Sequence, residues 1–236
     1  TKECIEIIKE KVRRSGIRNR RARYRIRPDS VTVTHAGGPR ESVVNCLLPI
    51  VTMYNYNLTG SVFTPLCSDS SFKIDLSGGR CYQPDLRFSI DDDCKSSPIL
   101  VVQSYFRSTE SIAEFINDLC DYVQCSAGVM ISIGFIFHVQ EDSRFSAVCV
   151  VLERVQSGER AGQAEVVKLV SFGTSAVEET IGNDIQSASG ARLSGVGVDG
   201  EMPCSAEHAS CPVFNIALNT SLLLGEDTLG TFFRHD

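Results

Sequence analysis

Residues 82–108, YQPDLRFSIDDDCKSSPILVVQSYFRS, contain the features that decide the fold. A Pro84-Asp85 pair comes first, and the short apolar run Ile99–Val102 follows after a polar turn. An apolar run of this length between turn residues is typical of a buried β-strand, and proline before the turn indicates a bend. Residues 103–105 (Gln-Ser-Tyr) come directly after the run. The stretch therefore predicts a carboxylate at a bend next to polar groups on the following strand.

Hydrophobic periodicity around this stretch predicts alternating strands and helices. The clearest helix begins at Ser108 or Thr109 and reaches about Tyr122, with apolar residues three and four positions apart. Strands and helices in this order are typical of an α/β layered sheet. The other predicted strands are Ser30–Thr34, Phe63–Leu66, Phe72–Leu76, Val129–Val139, Ser146–Leu152, Val166–Phe172 and Val213–Leu218, and the other predicted helices are Lys2–Val12 and Glu41–Asn55.

Two segments differ in composition from this alternating pattern. Residues 1–27 are predicted to form an N-terminal helix and a basic arm, and residues 28–236 a single domain. Residues 174–212 are rich in Gly, Ser, Ala and acidic residues and show little periodicity. A connection of that length is usually disordered or functional, so we predict a long flexible loop there, with disorder the favoured interpretation.

Composition indicates a globular protein inside the cell. The chain has 236 residues, of which 42% are hydrophobic, enough for a sizeable core. Its longest apolar stretch, Val129–Phe137, is about half of what a membrane-spanning helix needs, so no membrane association is expected. Several of the ten cysteines lie within apolar runs, as Cys149 does, and are interpreted as reduced thiols in a nuclear or cytoplasmic protein. The Cys204, His208 and Cys211 spacing lacks a fourth zinc ligand.

Charge is distributed unevenly along the chain. Residues 1–27 carry eleven Lys and Arg against three Glu, while the rest of the chain carries twelve against twenty-six. Arginine-rich segments bind phosphate with release of counterions, which makes the arm a candidate nucleic-acid contact. A solvated linker, a nuclear import signal and an arm that packs on the acidic body of the protein fit the same pattern. The candidate nucleic-acid-binding residues are Arg18, Arg20, Arg21, Arg23 and Arg25.

Taken together, four segments resemble a known family. They are RIRPDSVTVTHAGGPRESVVNCL, PDLRF, SPILVVQSYFRSTESIAEFINDLCDYV and VMISIGFIFHV, in this order. The set resembles the fungal restriction-endonuclease-like proteins of the PD-(D/E)XK type, which are related to bacterial Uma2-type nucleases. The likeness spans about residues 20–225, and the ordered set carries it, since no single motif is specific. It implies a mixed sheet flanked by helices, with extra C-terminal strands.

The resemblance also implies where a metal site would be. Glu41, Asp85 and Gln103 fall on the family's metal-ligating positions, with Mg²⁺ or Mn²⁺ as the expected ion if the protein is active and no cofactor otherwise. Gln103 stands where the family has a carboxylate, and a neutral ligand weakens the binding of a hard cation. Tyr105 stands where the archetype has a lysine. Arg107 is the nearest cation and can stabilise a phosphate, but it stays protonated and is a poor base.

Three functions remain open at this point. The leading hypothesis is a nuclease-fold protein with a degenerate metal site that binds DNA or RNA and hydrolyses phosphodiesters poorly or not at all. The first alternative is an active Mg²⁺- or Mn²⁺-dependent nuclease with Glu41, Asp85, Gln103 and Arg107 at its site. The second alternative is a protein-interaction module, with a protein partner or a homodimer. Each residue also has a purely structural interpretation: Asp85 can stabilise a turn, and Glu41 can favour the start of a helix.

Overall fold

The apolar segments of the sequence form strands in the computed structural model, which describes residues 22–28, 30–35, 67–69, 73–89, 97–106, 111–139, 144–198 and Leu222. Among these residues the elements, in chain order, are β1 (Ala22–Ile26), β2 (Val31–His35), β3 (Cys67–Asp69), β4 (Ile74–Leu76), β5 (Arg80–Tyr82), β6 (Leu86–Ser89), β7 (Leu100–Phe106), α1 (Ile112–Cys125), β8 (Ile131–Val139), β9 (Phe145–Arg154), β10 (Ala164–Gly173), α2 (Glu179–Ser189) and β11 (Ser194–Gly195).

The larger sheet has seven strands in the order β11-β10-β9-β8-β7-β6-β3. Strands β7 and β8 are parallel neighbours, from the Leu100–Ile131 pair to the Phe106–Phe137 pair, and α1 connects them. Strands β10 and β11 are also parallel, and the other neighbours are antiparallel. The mixed α/β architecture and the strand–helix–strand unit at its centre confirm the prediction from the apolar runs.

Helix α1 begins later than the sequence pattern indicated. Ser111 is its N-cap and accepts a hydrogen bond from the Glu114 backbone N–H, while the Glu114 side chain accepts one from the Ser111 N–H. This capping box satisfies two backbone donors, and neither Ser108 nor Thr109 has an acid three residues later. The predicted start at Ser108 or Thr109 is therefore wrong by about one turn.

The two faces of the larger sheet have separate cores. On β7, Val101 and Tyr105 pack with the apolar face of α1, while Leu100 and Val102 pack on the opposite face among residues of the neighbouring strands. Gly134 on β8 brings α1 close to the sheet. A Cβ at this position would clash with the Leu119 and Phe115 side chains, so a larger residue would force these core side chains to shift.

The smaller sheet has four strands in the order β2-β1-β5-β4 and packs beside α1. Ile74, Leu76 and Tyr82 join the core on the α1 side, and the Tyr82 and Tyr122 rings meet edge-on at 5.6 Å. Strand β1 is an inner strand of this sheet and lies within the segment predicted as a basic arm. Residues 22–27 therefore belong to the folded body, which corrects the predicted boundary after residue 27.

The predicted flexible loop at 174–212 is wrong for residues 174–198. These residues contain α2, which buries Ile181 and Ile185, and β11, which extends the larger sheet. The Ser171 hydroxyl lies within hydrogen-bond distance of the Ser194 and Val196 carbonyl oxygens, which ties this segment to β10. The small and polar residues that suggested disorder lie instead in a helix whose apolar face is narrow. Residues 199–212 lie outside the described residues.

Several predicted elements fall wholly outside the part of the chain that the structure describes. They are the helices Lys2–Val12 and Glu41–Asn55 and the strands Phe63–Leu66 and Val213–Leu218. The predicted strands that are described agree with β2, β4, β7, β8, β9 and β10 to within a few residues. Within the described ranges, no helix has the length and hydrophobicity needed to cross a membrane.

Candidate functional site

Asp85 lies at the bend just before β6, on the strand next to β7. Its backbone N–H donates to the Val102 carbonyl at 3.0 Å, and the Leu86–Val102 pair follows it in the ladder. The Asp85 backbone therefore lies against Val102, the residue before Gln103. The side chain is fully buried, with 0% of its surface exposed. The two residues that the sequence singled out are thus neighbours on adjacent strands.

Ser104 holds the Asp85 carboxylate. Asp85 Oδ2 accepts a hydrogen bond from the Ser104 backbone N–H and another from the Ser104 hydroxyl, both at 2.5 Å. Hydrogen bonds to an ionised oxygen are shorter and stronger than those between neutral groups. Sequence reasoning assigned Ser104 no role, because a serine at a strand end is common. Only the pairing of β6 with β7 shows that its donors meet the carboxylate.

Gln103 is half-buried and faces α1. The Tyr122 hydroxyl lies 3.4 Å from Gln103 Oε1, a long contact for a hydroxyl donor. Burial, followed by the negative charges of Asp118 and Asp85, raises the pKa of Tyr122 well above its usual value, so this hydroxyl stays protonated and can donate. The oxygen that would ligate a cation is therefore in contact with a donor from the protein itself.

Tyr105, at the family's lysine position, is a buried residue of β7. Its ring packs against Phe115 of α1 with the ring centroids 5.3 Å apart. Its neighbours are core residues on the helix side of the sheet. Tyr105 is therefore a core residue, and it supplies neither a cation nor a base next to Asp85.

Acidic residues of α1 bind arginines of β1 and the residue that follows it. Asp118, with 5% of its surface exposed, contacts Arg25 Nε at 3.0 Å and Arg27 Nη2 at 2.9 Å. Glu114 lies 3.7 Å from Arg27 Nη1. Arg25, a candidate nucleic-acid contact, is thus in an ion pair within the protein. Of the alternatives left open for the basic arm, packing on the acidic body holds for this part of it.

A second ion pair joins the smaller sheet to the C-terminal half of α1. Arg80 Nη1 lies 2.6 Å from Asp121 Oδ2, which also accepts a hydrogen bond from the Tyr82 hydroxyl at 2.9 Å. Burial is the main cause that raises the pKa of Tyr82 to about 12, so this hydroxyl remains a donor. Asp118 and Asp121 are three residues apart on α1, so the helix presents an acidic edge to the smaller sheet.

The remaining sequence candidates lie outside the described residues. They are Glu41, Arg107, Arg18, Arg20 and Arg21, while Arg23 lies within β1. Within the described ranges, no three His, Cys, Asp or Glu side chains form a group that could hold a metal ion. Among the described residues, the candidate ligands of a cation at this site are the carboxylate of Asp85 and the side-chain amide of Gln103.

Cys81, Cys120, Cys125 and Cys149 are free thiols. Burial raises the pKa of Cys149 to about 12, so this thiol is inert and behaves as a small apolar core residue. Free thiols at these positions agree with the interpretation of the cysteines as reduced.

Comparison with known proteins adds no relative. No protein-family model matches the chain, and no curated protein matches it either.

Proposed function

We propose that the protein is a restriction-endonuclease-like protein whose former metal site no longer supports efficient phosphodiester hydrolysis, and that it binds nucleic acid. The proposal combines the resemblance in the sequence with the arrangement of β6, β7, α1 and β8. A Pro-Asp bend lies beside the end of a central strand, and a helix then leads to a parallel strand. This is the layout that the resemblance implies.

One observation carries the loss of activity: Asp85 Oδ2 accepts two hydrogen bonds from Ser104 instead of being directed to solvent. A hydrated Mg²⁺ ion needs anionic oxygens that it can reach, and it gives up its water reluctantly. Asp85 is fully buried, and the residue beside it, Gln103, contributes no charge. Such a site holds a hard cation weakly, even with Glu41 as an additional ligand.

Nucleic-acid binding is assigned to the part of the arm that precedes Arg25. Arg25 and Arg27 are in ion pairs with Asp118, and Arg27 also with Glu114, so their charges are already balanced within the protein. Arg18, Arg20, Arg21 and Arg23 retain the role of phosphate contacts in this proposal. Contacts to phosphate alone carry no sequence information, so binding is expected to be indifferent to base sequence.

A cleavage assay tests the first half of the proposal. Plasmid and single-stranded substrates are incubated with Mg²⁺ or Mn²⁺ and either the wild-type protein, Asp85→Ala or Gln103→Glu. We expect no cleavage by the wild type above the level of Asp85→Ala. Gln103→Glu restores a carboxylate next to Asp85 and is expected to bind Mn²⁺ more tightly by calorimetry. Wild-type cleavage that disappears in Asp85→Ala would instead establish the active nuclease.

A binding assay tests the second half. Fluorescence anisotropy on unrelated duplexes at several salt concentrations compares the wild type with a variant in which Arg18, Arg20, Arg21 and Arg23 are alanine. The slope of log affinity against log salt is expected to be about −0.9 per phosphate contacted and to become shallower in the variant. Arg160→Ala, in the turn between β9 and β10, is the control for the loss of a surface arginine outside the arm. Equal affinity of all three proteins would favour the protein-interaction module.

A further inference from the structure

Three residues at the corner where β8 ends, β9 begins and β10 ends each carry a buried polar side-chain atom. These atoms are His138 Nδ1, Ser146 Oγ and Ser175 Oγ, and none of them has a hydrogen-bond partner among the described residues. Ser146 has 1% of its surface exposed and Ser175 has 9%. Buried polar groups in folded proteins are almost always hydrogen-bonded, so such a group calls for an ordered water, a ligand or a functional role.

Strand pairing brings these side chains to one place. His138 and Ser146 are direct partners in the β8–β9 ladder, and such partners have Cβ atoms about 4.5–5.5 Å apart. Ser146 lies on the same face of β9 as Val148 and Val150, which belong to the core under the helices. The Ser175 N–H donates to the carbonyl of Phe145 at 3.1 Å, next to Ser146.

Helix α2 begins near the same corner. Glu178 is its N-cap residue, and its Oε1 lies 3.6 Å from His138 Nδ1. Among the described residues, no side-chain hydrogen bond caps the N-terminus of this helix of 11 residues. The first backbone N–H groups of a helix have no partner within the helix, and together with the helix dipole they favour an anion. His138, the ladder partner of Ser146, therefore lies beside the N-cap residue of this helix.

These donors fit a tetrahedral oxyanion better than a cation. Hydroxyl, imidazole and backbone N–H groups all donate to phosphate oxygens, and the positive end of the helix dipole disfavours a metal ion. Arg144, exposed at the residue before β9, adds positive charge at this strand end. The opposing charge is that of Glu178, whose side chain is 47% exposed.

We propose that His138, Ser146, Ser175 and the N-terminus of α2 form a binding site for a phosphate group, either as the free ion or at the end of a polynucleotide. This site lies at the corner formed by the ends of β8 and β10 and the start of β9, and it does not include Asp85 or Gln103. The phosphate site therefore does not depend on the proposed function, and either proposal can fail while the other holds.

The test is calorimetry and thermal unfolding with inorganic phosphate, with KCl at matched ionic strength as the salt control. We expect phosphate, but not KCl, to raise the midpoint of unfolding of the wild type. Ser146→Ala and Ser175→Ala should each weaken phosphate binding about tenfold, since each removes a hydrogen bond to a charged group. Both variants should remain folded without phosphate, because these hydroxyls make no hydrogen bond within the described protein. Glu178→Gln should strengthen binding several-fold, since it removes a like charge.

Ser132→Ala is the matched control. Ser132 is fully buried like Ser146, but its hydroxyl donates to the Leu119 carbonyl at 2.9 Å. This variant should lower stability and leave phosphate affinity unchanged. A 5′-phosphorylated oligothymidine, compared with its unphosphorylated form, distinguishes the end of a polynucleotide from the free ion. Equal phosphate affinity of the wild type and Ser146→Ala would overturn the proposal, and so would stabilisation by Mn²⁺ or Zn²⁺ that Glu178→Gln abolishes.

Discussion

Ser104 and Asp85 lie on neighbouring strands and are joined through a single oxygen atom, Asp85 Oδ2, which accepts from both the backbone and the side chain of Ser104. The contact spans 19 residues of sequence. It fixes the Pro84-Asp85 bend against the end of β7, so the candidate site has a structural role as well as any role in binding.

Removing the Ser104 hydroxyl tests that structural role. Ser104→Ala leaves the backbone hydrogen bond in place but removes the second donor to a buried carboxylate, so unfolding is expected to become easier by about 1–3 kcal/mol. Urea denaturation measures the change. Ser157→Ala, at an exposed turn residue, is the control and should have little effect. Equal stability of the two variants would mean that the hydroxyl does not stabilise Asp85.

The ion pairs of Asp118 are expected to stabilise the protein strongly. Asp118→Asn removes the acidic partner of Arg25 and leaves Arg27 with Glu114 alone. We expect the free energy of unfolding to fall by about 2–4 kcal/mol, a value already reduced for the partial exposure of both arginines. A double-mutant cycle with Arg25→Met measures the coupling. Additive effects in the cycle would contradict a direct interaction between Arg25 and Asp118.

Arg154 is expected to stabilise the C-terminal end of α1. Its guanidinium donates to the carbonyl oxygens of Val123 and Ser126, which have no partner within the helix. Arg154→Met preserves the aliphatic packing but removes these donors, so the free energy of unfolding should fall by about 1–3 kcal/mol. Urea denaturation gives this value, and hydrogen exchange should show earlier opening of the last turn of α1. Unchanged exchange there would remove Arg154 from this role.

Stability should decrease at alkaline pH. Burial raises the pKa of Cys149 to about 12 and is the first cause that raises the pKa of Cys81 to about 11 and of Tyr82 to about 12. A raised pKa in the folded state means that the unfolded chain loses its protons first. This stabilisation is therefore complete below the unfolded values, about 8.5 for Cys and about 10 for Tyr, and is lost as pH rises above them.

Urea denaturation between about pH 8 and about pH 10.5 measures this decrease, over the range in which the unfolded thiols and phenols ionise. Cys149→Val removes one of the three groups and keeps the position apolar, so its stability should fall less steeply with pH. The same slope in the wild type and in Cys149→Val would show that the thiol of Cys149 is not protected by the fold.

The centre of the fold could be predicted because its signals are local. The apolar runs of β7 and β8 and the three- and four-residue spacing of Phe115, Leu119 and Val123 identify two strands and a helix without any knowledge of the partners. Helix α2 was missed for the opposite reason. It buries only a narrow stripe that includes Ile181 and Ile185, and its small polar residues have the composition of a loop.

The candidate sites depend on strand register, which a single sequence does not reveal. Asp85 and Gln103 could be named from the Pro-Asp bend and the strand end, but Ser104 as the partner of Asp85 depends on how β6 pairs with β7. In the same way, a run of arginines reveals positive charge but not which of the arginines form ion pairs within the protein. Arg25 could therefore not be distinguished from the arginines before it. The proximity of His138 and Ser146 follows from the β8–β9 pairing alone.

The ion pair between Arg27 and Asp118 joins residues 91 positions apart, which has a consequence during synthesis. At the usual rate of translation, a ribosome needs on the order of 5–20 s to add that many residues. Through that interval the arginines of β1 have been synthesised while Asp118 has not. The nascent chain is thus a cationic polymer close to ribosomal RNA, and the completion of α1 is the event that withdraws Arg25 and Arg27 from that surface.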